Sequence, residues 1–258
     1  MRIARIAHPG GVAFVHVQGE GADLVAAEVA DHPFGTPTFT GKKWPMADVR
    51  VLAPILPSKV IGVELNYADR ARELGRDVPA EPAIFLKPST AVAGSGAAIR
   101  IPTGESTVEF GGGLAVVIGQ PCRDVPVARA RDVVLGYTIV NDVTAAGQLR
   151  GQFDGQLARA KGHDSFCPLG PWIRTDADPT DLDLRTEVDG EVKQDASTAQ
   201  LVHEVPELVA WVSAVMTLLP GDVILTGTPA GVGPVLAGQT VSVSVDGLGT
   251  LTNPVAAR

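Results

Sequence analysis

The chain has 258 residues, 45% of them hydrophobic and 19% charged, which excludes a disordered or fibrous polypeptide. A chain of this size buries about 70% of its unfolded surface, enough for one large domain or a core with a small accessory unit. Acidic residues outnumber basic ones by 29 to 21, giving a net charge of −8 without a basic cluster, so nucleic acid is a poor partner.

The opening MRIARIAHPGG lacks a signal peptide's hydrophobic segment, and no apolar run reaches the roughly 20 residues of a membrane-spanning helix. A cytoplasmic protein without a membrane partner is therefore expected. RIARI and VAFVHV alternate and are separated by HPGG, which predicts a hairpin. DLVAAEVADH reads as a short helix, HPFGTPTFTGKKWP as an irregular connector and VRVLAPIL as a strand. Residues 1–57 thus form a small β-rich domain, and residues 58–258 a larger one.

In the larger region, apolar runs of five to eight residues recur between turn signals: VIGVEL, AIFLK, AAIRIP, LAVVIG, GYTIVNDV, LRTEVDGEV, DVILTG and VSVSVDGLGTLTN. They are too short and too β-branched for a helix bundle, and Asp189-Gly190 marks a hairpin. YADRAREL, VARARDVVL and ELVAWVSAVMTLL are the predicted helices, the last stopped by Pro220-Gly221. The fold class is mostly β (α+β), with a few covering helices. Cys122 and Cys167 are too few for a disulfide framework or a thiolate zinc site, and each is expected as a buried free thiol.

Several common catalytic patterns are absent. There is no GxxxxGK[ST] and no GxSxG. The run Gly111-Gly112-Gly113 leads into the strand pattern LAVVIG, whereas a phosphate loop opens a helix. His203-Glu204 lacks a second histidine four residues on and is followed by Pro206, which excludes a zinc-protease helix.

NYADRARELG at 66–75, IFLKP at 84–88, GGGLAVVIG at 111–119, LGYTIVNDV at 135–143, ARAKGHDSFCPLGPW at 158–172 and LLPGDVILTGTPAGVGP at 218–234 occur in one order. Together they resemble the fumarylacetoacetate hydrolase family, in particular its small bacterial 2-hydroxyhepta-2,4-diene-1,7-dioate isomerases, oxaloacetate decarboxylases and acylpyruvate hydrolases. The resemblance runs from about Lys59 to Val255, and the N-terminal unit is similar to the small domain such members carry. It implies a β-roll of two curved mixed sheets with short helices, usually a homodimer. It also implies a Mg²⁺ or Mn²⁺ held by three carboxylates, a histidine and glutamate on a lid helix, and a lysine that steadies an enolate.

Departures from that pattern fall on the metal and the proton relay. Where the family carries two ligand glutamates in E-G-E-L-A-V-V-I-G, this chain has Gly111 and Gly113, and only Asp142 matches the third ligand. Hard dications need several oxygen donors, so no metal cofactor is predicted. Glu109 shares a strand face with positions 111 and 113 and is read as a solvated edge charge, with ligation or support of the site as the alternatives. Arg70 stands where the lid histidine is expected. It stays protonated, so it clamps an anion rather than acting as a base, or simply pairs with Glu73. Glu64 replaces a glycine before the lid and is a new acid/base or a partner for Arg70 or Lys87. Asn141-Asp142-Val143-Thr144-Ala145-Ala146-Gly147 lacks an arginine and an aspartate of the family's NDVSARD, and the loop from Gln148 to Phe153 is longer than the family's.

By the same resemblance, Lys161 contacts the substrate, and Lys87, Gln156 and Thr228 line its cavity. Asn66 and Tyr67 begin the lid at the substrate end, although a core or rim place is the alternative for Tyr67 and Trp172. His163 is read as packed or solvated. The favoured function is a metal-free enzyme of this fold acting on a small enolisable carbonyl or carboxylate compound. Lys161 and Arg70 serve as cationic stabilisers, with Asp142, Glu73 or Glu64 as proton shuttles. The chemistry is isomerisation, cyclisation, dehydration or decarboxylation. The alternatives are an ordinary Mg²⁺- or Mn²⁺-dependent hydrolase or decarboxylase, a ligand-deleted inactive form, and a non-catalytic binding subunit.

Overall fold

A computed structural model describes residues 1–105, 107–149 and 156–258. Among these, a 12-stranded sheet runs, edge to edge, Phe39–Pro45, Val25–Val29, Gly11–Gln18, Arg2–His8, Cys167–Arg174, Val134–Asn141, Gly112–Ile118, Val223–Leu225, Val60–Glu64, Ala83–Lys87, with Arg50–Leu52 and Val92–Ala93 attached beside it. A second sheet of five strands orders Glu191–Ser197, Asp183–Val188, Thr240–Val245, Gly249–Ala257, Ile99–Ile101. A third joins Thr144–Ala145, Val108–Glu109 and Pro234–Val235. The architecture is the strand-dominated α+β arrangement expected, with three short α-helices among the described residues: α1 (Ala68–Glu73), α2 (Leu157–Lys161) and α3 (Val205–Val215).

The Gly112–Ile118 strand shows why the run LAVVI is apolar throughout. Every residue of it is buried. Leu114, Val116 and Ile118 face α3 and the five-stranded sheet, while Ala115 and Val117 pack with Val140, Leu169, Val223 and Leu225 on the opposite side. A strand covered on both faces loses the alternation that marks a half-exposed one.

Five segments differ from the sequence expectation. DLVAAEVADH follows directly on a short 3-10 turn at Gly21–Asp23 and forms the strand Val25–Val29, not a helix. Neighbours on both sides, Gly11–Gln18 and Phe39–Pro45, satisfy its backbone, which outweighs the marginal propensity of a ten-residue helix. The connector HPFGTPTFTGKKWP supplies that second neighbour, an exposed edge strand guarded by Lys42 and Lys43. VARARDVVL is a 3-10 turn over Val127–Val133, after which the chain pairs as a strand from Val134. The helix at ELVAWVSAVMTLL ends at Val215, and Met216 is extended because Leu218 is drawn into paired hydrogen bonds with Cys122, 3.0 and 2.9 Å. The Pro-rich CPLGPWIR, read only as part of a motif, is the strand Cys167–Arg174 that joins the N-terminal strands to the rest through Arg2–His8 and Val134–Asn141. Residues 1–57 therefore extend the large sheet.

Candidate active site

The site gathers at one end of the large sheet. Val60–Glu64 and Val223–Leu225 run parallel and finish there, Val134–Asn141 finishes there, and the antiparallel Gly112–Ile118 begins there. The segments that leave these strand ends carry α1, the Asn141-Asp142 turn and the Thr226–Gly231 loop. Together they line a cavity of about 480 Å³. Its wall includes Glu64, Arg70, Arg76, Phe85, Glu109, Gly111, Asp142, Thr144, Lys161 and Thr228, with Leu65, Leu74, Phe110, Leu157 and Val232 as apolar fill.

At the base, Asp142 is bracketed by two lysines. Its Oδ1 accepts from the Lys87 Nζ and its Oδ2 accepts from the Lys161 Nζ at 2.8 Å. Lys87 is 1% exposed, ends the edge strand Ala83–Lys87, and also donates to the Val143 carbonyl at 3.0 Å. Lys161, the last residue of α2, donates to Thr144 Oγ1 at 2.9 Å and lies 4.6 Å from the centroid of the Phe85 ring. Burial alone would raise the Asp142 carboxyl, but the ammoniums of Lys161 and Lys87 outweigh it and hold it below its ordinary range. Burial pulls the Lys87 ammonium down against the opposing pull of Asp142. Of the two lysines only Lys161 lines the cavity; Lys87, expected there from the resemblance, lies behind Asp142 with its side chain 0% exposed.

The remaining expected residues divide. Arg70 borders the cavity and pairs with Glu73 Oε2, so the intrahelical ion pair is formed. Glu73 Oε1 also accepts from the Gly231 amide at 3.0 Å, and Asp69 Oδ2 from the Ala230 amide at 3.2 Å, which ties α1 to the TPAG loop. Glu64 and Glu109 both face the cavity. Thr228 borders it and accepts from Gln194 at 2.9 Å. Asn66 does not line the cavity. Its amide donates to the carbonyls of His203 and Thr226 and accepts from the His203 amide, and these bonds consume it. Tyr67 is 0% exposed and in the core, its hydroxyl unpaired among the described residues and pushed up by burial. Gln156 is exposed beside a separate depression with Ile84, Leu86 and Met216. His163 packs near the Phe166 ring at 5.0 Å, and Trp172 lies under the Arg2 guanidinium at 5.5 Å. The longer loop expected after Gln148 lies, from residue 150, outside the described residues.

The donor set does not suit the dication that the resemblance implies. Both oxygens of Asp142 are taken by ammonium groups, and among the described residues no three His, Cys, Asp or Glu side chains cluster to hold an ion. The two glycines differ in what they admit. A Cβ on Gly111 would meet the Asp142 carbonyl at 3.2 Å and Thr228 at 3.4 Å, whereas one on Gly113 would sit 2.4 Å from the Gly227 carbonyl. The backbone has closed over the second position.

Thr144, Phe85, Arg76 and Gln194 join the site without having been singled out from the sequence. Thr144 stands two residues after Asp142, a spacing that could have flagged it. Gln194 is far along the chain, on the Glu191–Ser197 hairpin strand, and carries no local signal.

Residues 59–256 match the family model for the fumarylacetoacetate (FAA) hydrolase C-terminal region, and residues 1–54 match that for an Rv2993c-like N-terminal region. Protein Rv2993c of Mycobacterium tuberculosis is 59% identical, covering 99% of this chain and 98% of its own length. A crystal structure of 5-carboxymethyl-2-hydroxymuconate delta-isomerase from Mycobacterium smegmatis superposes with a TM-score of 0.94 at 58% identity, over 100% of both chains. Maleylpyruvate hydrolase from Sphingobium sp. SYK-6, in complex with manganese(II) ion and pyruvate, matches at 0.78 and 30% identity over 100% of this chain and 99% of its own. The chain belongs to the fumarylacetoacetate hydrolase family, and its fold is that of an enzyme with isomerase and hydrolase relatives.

Proposed function

We propose that this protein is an isomerase of the family that moves a proton within a small enolisable carbonyl compound bearing a carboxylate, without a bound divalent cation. The observation that carries this reading is the Lys87, Asp142 and Lys161 array at the cavity base, which offers a fixed positive charge where the resemblance implies a metal. Lys161 is held by Asp142, Thr144 and the Phe85 face, so its ammonium is oriented before substrate arrives. Preorganised positive charge stabilises an enolate oxygen more than the parent carbonyl, which is the requirement for catalysis.

Proton transfer falls to Glu64. Asp142 is a poor base because its lysines keep it ionised far below neutral pH, and Glu73 is engaged by Arg70 and Gly231. Glu64 takes a proton from the carbon beside the carbonyl, and the C–H electron pair moves into the enolate. Where the substrate carries a C=C next to the deprotonated carbon, return of the proton to the far end of that dienolate forms a new C–H bond as the double bond shifts, so the step balances without water, oxidant or reductant. Arg70 and Arg76 at the wall supply charge for the substrate carboxylate. The isomerase among the relatives supports this chemistry. The manganese(II) bound by the Sphingobium hydrolase favours the second reading, metal-dependent C–C hydrolysis or decarboxylation. The proposal includes a cytoplasmic homodimer with no nucleic-acid or membrane partner. Among the described residues no helix is long and apolar enough to cross a membrane.

The test is deuterium exchange from solvent into a panel of 2-oxo acids and 1,3-dicarbonyls, followed by NMR with EDTA present and with Mn²⁺ added. Exchange that survives EDTA and is lost in Lys161→Met supports the isomerase. Turnover that EDTA abolishes and Mn²⁺ restores assigns the metal-dependent reading instead. Binding of panel compounds without any turnover assigns a binding subunit, and a monomer by light scattering removes the dimer.

A further inference from the structure

We infer that Gln194 is a positioning residue that turns the Thr228 hydroxyl into a hydrogen-bond donor aimed at the anionic ligand, an inference that rests on the enolate-binding reading of the cavity. Gln194 is 1% exposed and sits beneath the glycine run. Its Oε1 accepts from the Gly112 amide at 2.9 Å, and its Nε2 donates to Thr228 Oγ1 and to the Pro229 carbonyl, each at 2.9 Å.

These partners fix which way the amide faces. A backbone N–H only donates and a backbone carbonyl only accepts, so the oxygen must face Gly112 and the nitrogen must face Pro229. The second N–H of that nitrogen then points at Thr228, whose hydroxyl has to accept it. A hydroxyl carries one proton and two lone pairs. With a lone pair engaged by Gln194, and no acceptor for the Thr228 proton among the described residues, that proton is left for the cavity that Thr228 borders. Oγ1 lies 3.4 Å from where a side chain at 111 would begin, so glycine there keeps the approach to it open.

The three glycines now have separate explanations. Gly112 lets Gln194 reach the strand, because a Cβ would lie 2.0 Å from Thr186 Oγ1 and 3.1 Å from Gln194 Oε1. Gly113 admits the Gly227 carbonyl, and Gly111 leaves room for a ligand beside Thr228. The cavity thereby gains a neutral donor in the same wall as the Lys161 ammonium, a pairing suited to a planar carboxylate or enolate.

The test is a double-mutant cycle of Thr228→Val and Gln194→Leu, read by calorimetric titration with oxalate, a planar enolate mimic, in EDTA, and in parallel by thermal melting. Loss of a hydrogen bond to a charged ligand weakens binding about 10-fold or more, so each single variant should lose at least that, the double variant no more than either, and Thr228→Ser should retain wild-type affinity. Gln194→Glu guards against a packing artefact: it keeps an acceptor for the Gly112 amide but draws the Thr228 proton toward itself, so its effect should also couple to Thr228→Val. Additive losses, in binding or in melting temperature, overturn the positioning role. Oxalate affinity indifferent to Thr228→Val overturns the donor role while leaving the enolate reading intact. Failure of the wild-type protein to bind oxalate overturns both.

Discussion

Replacing Asp142 with asparagine isolates the interaction on which the site's charge depends. The change keeps the side-chain shape but removes the negative charge and presents an NH2 group to one of two ammonium ions. Lys87, with a side chain 0% exposed, would keep only the Val143 carbonyl, and Lys161 only Thr144 Oγ1 and the Phe85 ring. Breaking a buried ion pair by removing one partner costs about 3–5 kcal/mol, because the other charge stays buried without compensation. For a chain of this length that corresponds to a fall in melting temperature of about 10 °C. The pH dependence follows from the directions of the two shifts. Asp142 titrates lower when folded than when unfolded, so its stabilisation is complete above the unfolded carboxylate value of about 3.9 and is lost as pH falls through the folded one. Burial lowers Lys87, so in Asp142→Asn the penalty of its charge is full below the folded lysine value and disappears as pH rises past the unfolded value of about 10.4. The gap between wild type and variant, measured by calorimetric melting from pH 3 to 10, is therefore widest near neutrality and narrows at both ends. Adding Lys87→Met to Asp142→Asn should recover part of the loss, since the stranded charge goes too. An Asp142→Asn protein that melts within about 2 °C of wild type at pH 7 would refute the reasoning.

Three further outcomes are expected. Lys161→Met should lower solvent deuterium exchange about 10²- to 10³-fold, the range for loss of one oxyanion-stabilising group, with the circular dichroism spectrum unchanged. Gly113→Ala should destabilise by about 1–3 kcal/mol in chemical denaturation, because its methyl group meets the Gly227 carbonyl at 2.4 Å, while Gly111→Ala, with its nearest neighbour at 3.2 Å, should fall within about 1 kcal/mol of wild type. Tyr67→Phe should raise the melting temperature by a few degrees, since an unpaired buried hydroxyl carries a penalty of about 1 kcal/mol or more; a fall would mean that the hydroxyl has a bonding partner.

Much of the fold was legible in local sequence. Apolar runs of strand length between Gly and Pro turns identified Gly112–Ile118, Val134–Asn141 and the Thr240–Val245 to Gly249–Ala257 hairpin, and the ordered motifs led to the family. Errors arose where neighbours decided: Val25–Val29 is a strand because strands flank it on both sides, and Cys167–Arg174 is one despite its prolines because the N-terminal sheet needs a partner. At the site the sequence identified Lys87, Asp142, Lys161, Arg70 and Thr228 as residues of interest. It also assigned Asn66 to the substrate end, although that amide is consumed in joining two loops.

The glycines at 111 and 113 and the surviving lysines are written in the chain, and they decide which charges the cavity has available. Only the tertiary structure decides where those charges go. Two lysines, from a sheet edge and a helix end, close on a single carboxylate, and a glutamine from a distant hairpin orients a threonine, because charge and hydrogen-bond energies depend on distances of a few ångströms between segments far apart in sequence.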